Sequence, residues 1–222
     1  MVPSCMFAPP SPEKVTDGVY LVGSSDLTDG RDCSVYLVDA GELVLIDSGS
    51  GANTARIARN IELLGLDPSH LSTLILTHCH IDHVGGAAYL KERFGVRIFM
   101  HTLDAAAVER GDPVRTGASW YGLRLSPLPV DVKIAQGEET LSFSDGTRLV
   151  CLHTPGIRPD LSRFSETGGR RGCFSARTYT VLSFRNSAPT YQPGGVPWKR
   201  SLPLRPTSSA RAISAFTGQR RP

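Results

Sequence analysis

The chain of 222 residues lacks the features of several protein classes. No stretch approaches the roughly 20 consecutive apolar residues of a membrane-spanning helix. Residues 1–14 carry prolines where a secretory signal needs an apolar run. The 5 cysteines are widely spaced and form no Cys-x-x-Cys pair, which argues against a disulfide framework and fits a reducing compartment. We therefore expect a soluble, cytoplasmic protein with no membrane partner.

Acidic residues are scarce in the last part of the chain. Residues 157–222 hold 2 Asp and Glu against 12 Lys and Arg, whereas residues 1–156 hold 19 against 12. Only 12 of the last 66 residues are Leu, Ile, Val or Phe. Low apolar content with high net charge is typical of disordered segments. We predict a folded domain over residues 15–156 and a disordered basic tail over 157–222. The formal net charge of +3 comes from the tail and gives no support for a nucleic-acid partner.

The folded part reads as strands with helices between them. Runs rich in Val, Ile and Leu predict strands at 18–23, 33–40, 42–48, 71–77, 96–101, 130–135, 139–145 and 147–154. Helices are predicted at 53–64, with Ile57, Ile61, Leu63 and Leu64 on one face, at 87–95, and at 102–110 with Thr102 as N-cap. A Gly- and Pro-bearing loop covers 111–129. This order predicts layered α/β packing.

Three histidines and an aspartate follow the predicted strand 71–77 within six positions, in the stretch Leu76-Thr-His-Cys-His-Ile-Asp-His-Val-Gly-Gly. Side chains at the carboxyl end of a strand in an α/β sheet are well placed for a site. His78 and His80, two residues apart in an extended loop, can point the same way and hold one ion, and Asp82 and His83 can face a second. Imidazole with carboxylate suits zinc, and also iron or manganese.

Cys79 stands between two of these histidines, and we expect its side chain to point away from the site, because alternate residues of an extended segment face opposite ways. Gly85 and Gly86 are expected to let the backbone turn tightly into the next helix. His70 and His101 lack such neighbours in the sequence, and we expect them to be surface or cap residues.

The pattern His78-x-His80-x-Asp82-His83, with Gly86 after it, resembles the metallo-β-lactamase fold hydrolases. Two further stretches fit that family: Leu-Val-Leu-Ile-Asp-Ser-Gly at 43–49 and Cys-Leu-His-Thr-Pro-Gly at 151–156. The resemblance covers about residues 15–156. It implies an αβ/βα sandwich with two metal ions at one edge, of which this chain would form the first half only.

The resemblance also implies roles for individual residues. The first ion would lie on His78, His80 and His153, and the second would take Asp82 and His83, with Asp47 a buried residue that supports the ligands. A metal-bound hydroxide would attack a small-molecule substrate, with Asp82 in the catalytic machinery. Zinc is expected, with iron or manganese as alternatives.

The rest of the family's second ion site, a bridging aspartate and a final histidine, is not found after His153, because the tail has no histidine. Our hypothesis is a shift of one base in the reading frame after Gly156, and the alternative is an unrelated natural disordered tail. Read in the shifted frame, residues 156–162 can encode Gly-His-Ser-Pro-Gly-Ser-Ile, which is the family's usual continuation. Residues 172–180 can encode Val-Leu-Phe-Gly-Gln-Asp-Ile-His, and residues 206–218 can encode Asp-Ile-Leu-Cys-Glu-Gly-His-Phe-Gly-Ile-Tyr-Arg. We predict that residues 157–222 are out of frame and that this chain holds at most one ion well.

The length and the metal motif are similar to those of glyoxalase II-like thioester hydrolases. The expected activity is hydrolysis of a thioester, lactone or related ester or amide, impaired in this chain. An iron-dependent persulfide dioxygenase and a true β-lactamase remain alternatives. So does a non-enzymatic role as an inactive fragment or binding protein. The sequence does not determine the oligomeric state.

Overall fold

The computed structural model describes residues 10–135, 138–154, 179–185 and 212–213. The helices are α1 (Thr54–Leu63), α2 (Ile81–Val84), α3 (Ala87–Phe94) and α4 (Thr102–Arg110). The strands are β1 (Glu13–Thr16), β2 (Val19–Gly23), β3 (Val35–Asp39), β4 (Leu43–Ile46), β5 (Leu71–Leu76), β6 (Arg97–His101), β7 (Val132–Ile134), β8 (Glu138–Ser142), β9 (Arg148–Thr154), β10 (Tyr179–Arg185) and β11 (Ala212–Ile213). No helix in the described ranges has the length and apolar character needed to cross a bilayer.

Strands β1 to β7 form one sheet in chain order. The pairs from β1 to β4 are antiparallel; short turns join β1 to β2 and β3 to β4, and the loop 24–34 joins β2 to β3. The pairs β4–β5, β5–β6 and β6–β7 are parallel, with α1, α3 and α4 in the connections. A second, antiparallel sheet has the order β11, β10, β9, β8.

The large sheet is covered on both faces, and β4 illustrates this best. Leu43 and Leu45 belong to the core under the helices, together with Ile57 of α1. The intervening Val44 and Ile46 belong to a second core that includes Leu149 and Cys151 of β9. A strand buried on both faces reads as a continuous apolar run, which is the pattern Leu-Val-Leu-Ile. The predicted αβ/βα layering, with helices on one face and a second sheet on the other, is confirmed.

Helix α1 packs through a narrower face than the sequence indicates. Ile57 and Ile61 are fully buried, but Leu63 is 63% exposed and lies on the solvent side. Residues 57 and 61 are one helical turn apart and share a face, whereas residue 63 is rotated by about 200° from residue 61. The prediction that Leu63 lies on the core face of α1 is therefore wrong.

Thr102 is the first residue of α4 rather than its N-cap. The cap is His101, whose Nδ1 accepts a hydrogen bond from the backbone N–H of Leu103 at 3.2 Å. The Thr102 hydroxyl instead donates to the carbonyl of Ile134 at 3.0 Å and ties α4 to β7. His101 is 2% exposed, so its cap role is confirmed and a surface position is excluded.

An ion pair joins helix α3 to the residue that precedes β7. Lys91 on α3 donates to both carboxylate oxygens of Asp131, at 2.6 and 2.5 Å, and Asp131 also accepts from the N–H of Ile98 at 2.8 Å. Burial raises the pKa of Asp131, but these partners outweigh it and the pKa lies below its ordinary value. The negative charge is thus stabilised in the folded state.

Two segments of the region predicted to be disordered are strands. Residues 179–185 pair with β9 over seven positions, from Tyr179 opposite Thr154 to Arg185 opposite Arg148, and Ala212 and Ile213 pair with β10. The run Tyr-Thr-Val-Leu-Ser-Phe at 179–184 is rich in β-branched and aromatic residues, a local pattern that average composition conceals. The prediction for the remainder of 157–222 lies outside the described residues.

Candidate metal centre

The candidate ligands lie where β4 and β5 end side by side. Ile46 at the end of β4 pairs in parallel with Ile75 of β5, so the residues that follow both strands meet at one edge of the sheet. Asp47 follows β4, and the loop carrying His78 and His80 follows β5 and leads into α2. Helix α2 then presents Asp82 and His83. The sheet thus collects groups that are about thirty residues apart in the sequence.

Asp47 is the fully buried anchor of this edge. Its carboxylate accepts from the backbone N–H of Thr77 at 2.8 Å, from the Thr77 hydroxyl at 2.8 Å, and from Nδ1 of His83 at 2.8 Å. Asp47 is also the one non-glycine residue with positive φ, 62°, among the described residues. Aspartate tolerates this conformation better than most residues. The strained backbone turns the carboxylate toward His83.

The two glycines of the motif are needed for close packing rather than for turning. Gly85 has φ −61° and Gly86 has φ −84°, which any residue can adopt. A Cβ at Gly85 would lie 2.1 Å from the carbonyl oxygen of Ser50, and one at Gly86 would lie 2.2 Å from that of Ser48. The expectation of a glycine-dependent turn is wrong. Glycine lets α2 and α3 lie directly against the loop after β4.

The histidine rings converge. Nε2 of His78 lies 3.2 Å from Nδ1 of His80, and the ring centroids of His78 and His83 are 3.9 Å apart. Nε2 of His83 lies 3.4 Å from an Asp82 carboxylate oxygen. His78 and His83 are buried, and Asp82 retains 18% side-chain exposure. One end of the group therefore opens to solvent.

The electrostatics divide the histidines into two kinds. Burial, aided by the charges of His83 and His80, holds the pKa of His78 well below its ordinary value, so its ring is neutral and suited to bind a cation. Burial also lowers the pKa of His83, but Cys33, Asp47 and Asp82 outweigh it and hold that pKa well above the ordinary value. Burial raises the pKa of Asp82, yet the contact with His83 leaves it lowered. Positive charge is favoured between the two carboxylates.

His153 lies apart from the other candidate ligands. In β9 its ring stacks on that of His101, with centroids 4.1 Å apart and an interplanar angle of 23°. Nε2 of His101 and Nδ1 of His153 are both buried without a hydrogen-bond partner. Within the described ranges, His78, His80 and His153 do not form a group whose donor atoms all lie within one ion's reach. Its role as a ligand stays a prediction.

The position of Cys33 beside the candidate ligands has no signal in the sequence. Its thiol, an Asp47 carboxylate oxygen and a His83 ring nitrogen lie within 4.8 Å of one another, all three residues buried. No motif pointed to it, because it lies 45 residues before His78 and acquires these neighbours only through the fold. The Cys79 thiol, by contrast, donates to the carbonyl of Arg115 at 3.5 Å, away from the histidine rings, as the alternation predicts.

Two aromatic residues stand on the loop after α4. Trp120 is 55% exposed and Tyr121 is 42% exposed. The pKa of Tyr121 is raised, first by partial burial and then by the negative charge of Asp82. Both lie in the predicted loop 111–129, and no motif in the sequence marks them.

Two curated relatives match about three fifths of the chain. An uncharacterised protein of Aquifex aeolicus is 35% identical over 133 residues, 59% of this chain and 57% of that protein. Hydroxyacylglutathione hydrolase GloC of Haemophilus influenzae is 34% identical over 137 residues, 61% of each chain. The chain thus matches about three fifths of the length of these relatives.

Several solved structures have a similar fold. The native metallo-β-lactamase FEZ-1 of Legionella gormanii superposes with a TM-score of 0.62 at 22% identity, over 79% of this chain and 58% of that one. The di-zinc metallo-β-lactamase LRA-12 from an Alaskan soil metagenome gives 0.60 at 23% identity, over 79% and 57%. The family model for the metallo-beta-lactamase superfamily matches residues 28–178, two thirds of the chain. The chain therefore belongs to the metallo-beta-lactamase superfamily.

Proposed function

We propose that this protein derives from a metal-dependent thioester hydrolase that acts on a small acyl thioester, and that the chain as written has little of that activity. The arrangement of His78, His80, Asp82 and His83 after β5, beside the end of β4, carries the proposal. The similarity to a relative named hydroxyacylglutathione hydrolase, at 34% identity, favours a thioester over a β-lactam, since FEZ-1 and LRA-12 are similar in fold at 22% and 23% identity.

The donor geometry supports a transition-metal ion. Two ligands on a tetrahedral ion with bonds of roughly 2.0 Å stand about 3.3 Å apart. The ring nitrogens of His78 and His80 are 3.2 Å apart, and Nε2 of His83 and the Asp82 oxygen are 3.4 Å apart. Each pair thus needs almost no movement to bind a common cation. Neutral imidazole and carboxylate favour zinc, with iron or manganese as alternatives.

The remaining residues set the orientation of these donors. Asp47 accepts from Nδ1 of His83, so when a cation displaces the second ring proton the remaining proton stays on Nδ1 and Nε2 offers the lone pair. Thr77 holds Asp47 by two hydrogen bonds and so prevents the carboxylate from rotating. When bound, the ion would supply a water-derived nucleophile at neutral pH and stabilise the oxyanion.

The exposed side of the site receives the substrate in this proposal. Asp82 presents a partly exposed carboxylate that can orient the attacking water by accepting its hydrogen bond. The partly exposed ring of Tyr121, whose hydroxyl interacts electrostatically with Asp82, offers an apolar surface for the acyl or thiol part of the substrate. Both reacting partners would then lie on the same open edge.

The low activity follows from the residues after Gly156. The family's further ligands are absent from the sequence after His153, and we infer that a one-base change of frame removed them. His153 stacked on His101 agrees with an incompletely built first ion site. We expect the chain to hold one ion at most.

The test compares the chain as written with one in which the frame is restored after residue 156. Each is loaded with Zn²⁺ and assayed on a 2-hydroxyacyl glutathione thioester and on a simple lactone. We expect thioester hydrolysis from the restored protein and at least about a hundredfold less from the chain as written. His80→Ala in the restored protein should abolish activity, and His70→Ala, at an exposed histidine, is the matched control.

Four outcomes would count against the proposal. A restored protein that hydrolyses only the lactone would refute the substrate class. If the chain as written hydrolyses the thioester at the restored rate, the proposed loss of activity is refuted. If it binds two ions, the proposed loss of the second ion site is refuted. Genomic DNA that encodes no family motifs in another frame would refute the frame change.

A further inference from the structure

A buried thiol faces the candidate metal centre from a loop outside the histidine motif. The sulfur of Cys33, a carboxylate oxygen of Asp47 and a ring nitrogen of His83 lie within 4.8 Å of one another. Among the described residues, this is the one group of three potential ligand atoms from His, Cys, Asp or Glu in which every pair lies within 4.8 Å. The backbone also joins the two loops, because the N–H of Cys33 donates to the carbonyl of Asp82 at 3.3 Å.

The loop before Cys33 is held in place by the neighbouring Asp32. One Asp32 oxygen accepts from the N–H and hydroxyl of Ser50 at 2.7 and 2.6 Å, and the other accepts from the hydroxyl of Thr28 at 2.5 Å. Gly49 approaches so closely that a Cβ there would lie 2.8 Å from the Asp32 carboxylate carbon. Cys33 is therefore fixed against the site by a buried polar network.

The distances suit a bound ion after a small contraction. Bonds of about 2.3 Å to sulfur and about 2.0 Å to nitrogen place tetrahedral ligands roughly 3.5 Å apart. The present separations of up to 4.8 Å require shifts on the order of 1 Å, within reach of a rotamer adjustment at Cys33. Thiolate, imidazole and carboxylate together form a donor set that prefers Zn²⁺ and Cd²⁺ to Mg²⁺ or Mn²⁺.

We propose that Cys33 is a thiolate ligand of the cation held by His83, with Asp82, whose carboxylate lies 3.4 Å from Nε2 of His83, as the third protein ligand, and that Cys33 makes this position selective for thiophilic divalent ions. The inference rests on the proposed metal centre and names a ligand that the histidine motif does not contain. As the metal–sulfur bond forms, the S–H proton passes to solvent and no atom changes oxidation state.

The other described cysteines have different surroundings. Cys79 donates to the Arg115 carbonyl, and Cys151 lies in the apolar core between the two sheets. Cys5 and Cys173 lie outside the described residues. The chain therefore offers its own controls for the identity of a thiolate ligand.

The test is titration of the whole chain with Cd²⁺, and separately with Co²⁺, while the ultraviolet charge-transfer absorption of a metal–thiolate bond is recorded. We expect a band that saturates at one ion per chain with the intensity of a single sulfur. The variant Cys33→Ser should lose the band and bind Cd²⁺ at least about tenfold more weakly, with little change for Mn²⁺. Cys79→Ser should retain both band and affinity.

A second variant guards against misfolding of Cys33→Ser. The quadruple variant Cys5→Ser/Cys79→Ser/Cys151→Ser/Cys173→Ser keeps Cys33 alone and should retain the full band. A band that persists in Cys33→Ser, or that disappears from the quadruple variant while Cd²⁺ still binds, would overturn the assignment. Cd²⁺ binding by the unaltered chain without any thiolate band would overturn it and leave the proposed function intact. No binding of any divalent ion would overturn both.

Discussion

Replacing Asp47 by asparagine removes one charge from the interior without changing the shape of the side chain. The carboxylate accepts from Thr77 N–H at 2.8 Å, the Thr77 hydroxyl at 2.8 Å and His83 Nδ1 at 2.8 Å. The amide can still accept from the Thr77 N–H, and asparagine tolerates the φ of 62°. Its –NH₂ group, however, would face the Thr77 hydroxyl and Nδ1 of His83, which both donate to the carboxylate in the unaltered chain.

The cost follows from the bonds that are lost. A hydrogen bond to a charged group contributes about 1.5–3 kcal/mol, and one such bond, that to His83, cannot be made unless the ring changes tautomer. We expect the free energy of unfolding to fall by about 2 kcal/mol. If the tautomer changes, Nε2 carries the proton and no longer offers a lone pair. Affinity for Zn²⁺ should then fall by roughly 10–100-fold.

Urea unfolding and competitive zinc titration measure the two effects. Asp26→Asn, the same change at an exposed position, is the matched control and should alter neither quantity measurably. If Asp47→Asn unfolds at the same urea concentration as Asp26→Asn and keeps its zinc affinity within twofold, the argument that Asp47 orients His83 is wrong.

Three further predictions concern the scaffold. Gly85→Ala should lower the free energy of unfolding by at least about 2 kcal/mol because its Cβ meets a backbone oxygen at 2.1 Å, whereas Gly30→Ala, with open space around it, should be near neutral in the same urea assay. Ile57→Ala should cost about 2–5 kcal/mol by thermal or urea unfolding and Leu63→Ala on the same helix less than about 0.5, and equal costs would refute the burial assigned to α1. The pKa of Asp131 is lower in the folded than in the unfolded chain. Its ion pair therefore stabilises the fold fully above the unfolded-state pKa, and this contribution is lost as the pH falls through the folded-state pKa. Asp131→Asn should therefore be less stable than the unaltered chain by about 1 kcal/mol at pH 7 and equal to it once both pKa values have been passed in acid, and a difference that persists there would contradict the reasoning.

The sequence predicts the parts of this fold that depend on local pattern. Runs of Val, Ile and Leu and helical spacing place the predicted elements of residues 18–154 within three residues of their observed ends. The cluster from His78 to His83 is recognisable because its donors are neighbours in the sequence. The short helix α2 and the strand β1 are missing from the prediction, since four residues carry too little periodicity.

What the sequence could not supply depends on approach between distant segments. Cys33 acquires His83 as a neighbour only when the loop before β3 folds against α2, and no pattern in its own surroundings indicates this. The prediction that Gly85 is needed for a tight turn is wrong for the same reason. The carbonyl of Ser50, 35 residues earlier in the sequence, is what excludes a side chain at position 85. Steric exclusion of this kind has no local signature.

The change from antiparallel to parallel pairing at β4 has a consequence for the order of folding. Strands β1 to β4 are joined by shorter connections than the one containing α1, which must bring its two ends together before β4 can pair with β5. Asp47 and Thr77 lie at the two ends of that connection and can bond only when it closes. We therefore expect substitutions there to accelerate unfolding while leaving the refolding rate nearly unchanged, so that the candidate ligands assemble after the rate-limiting barrier.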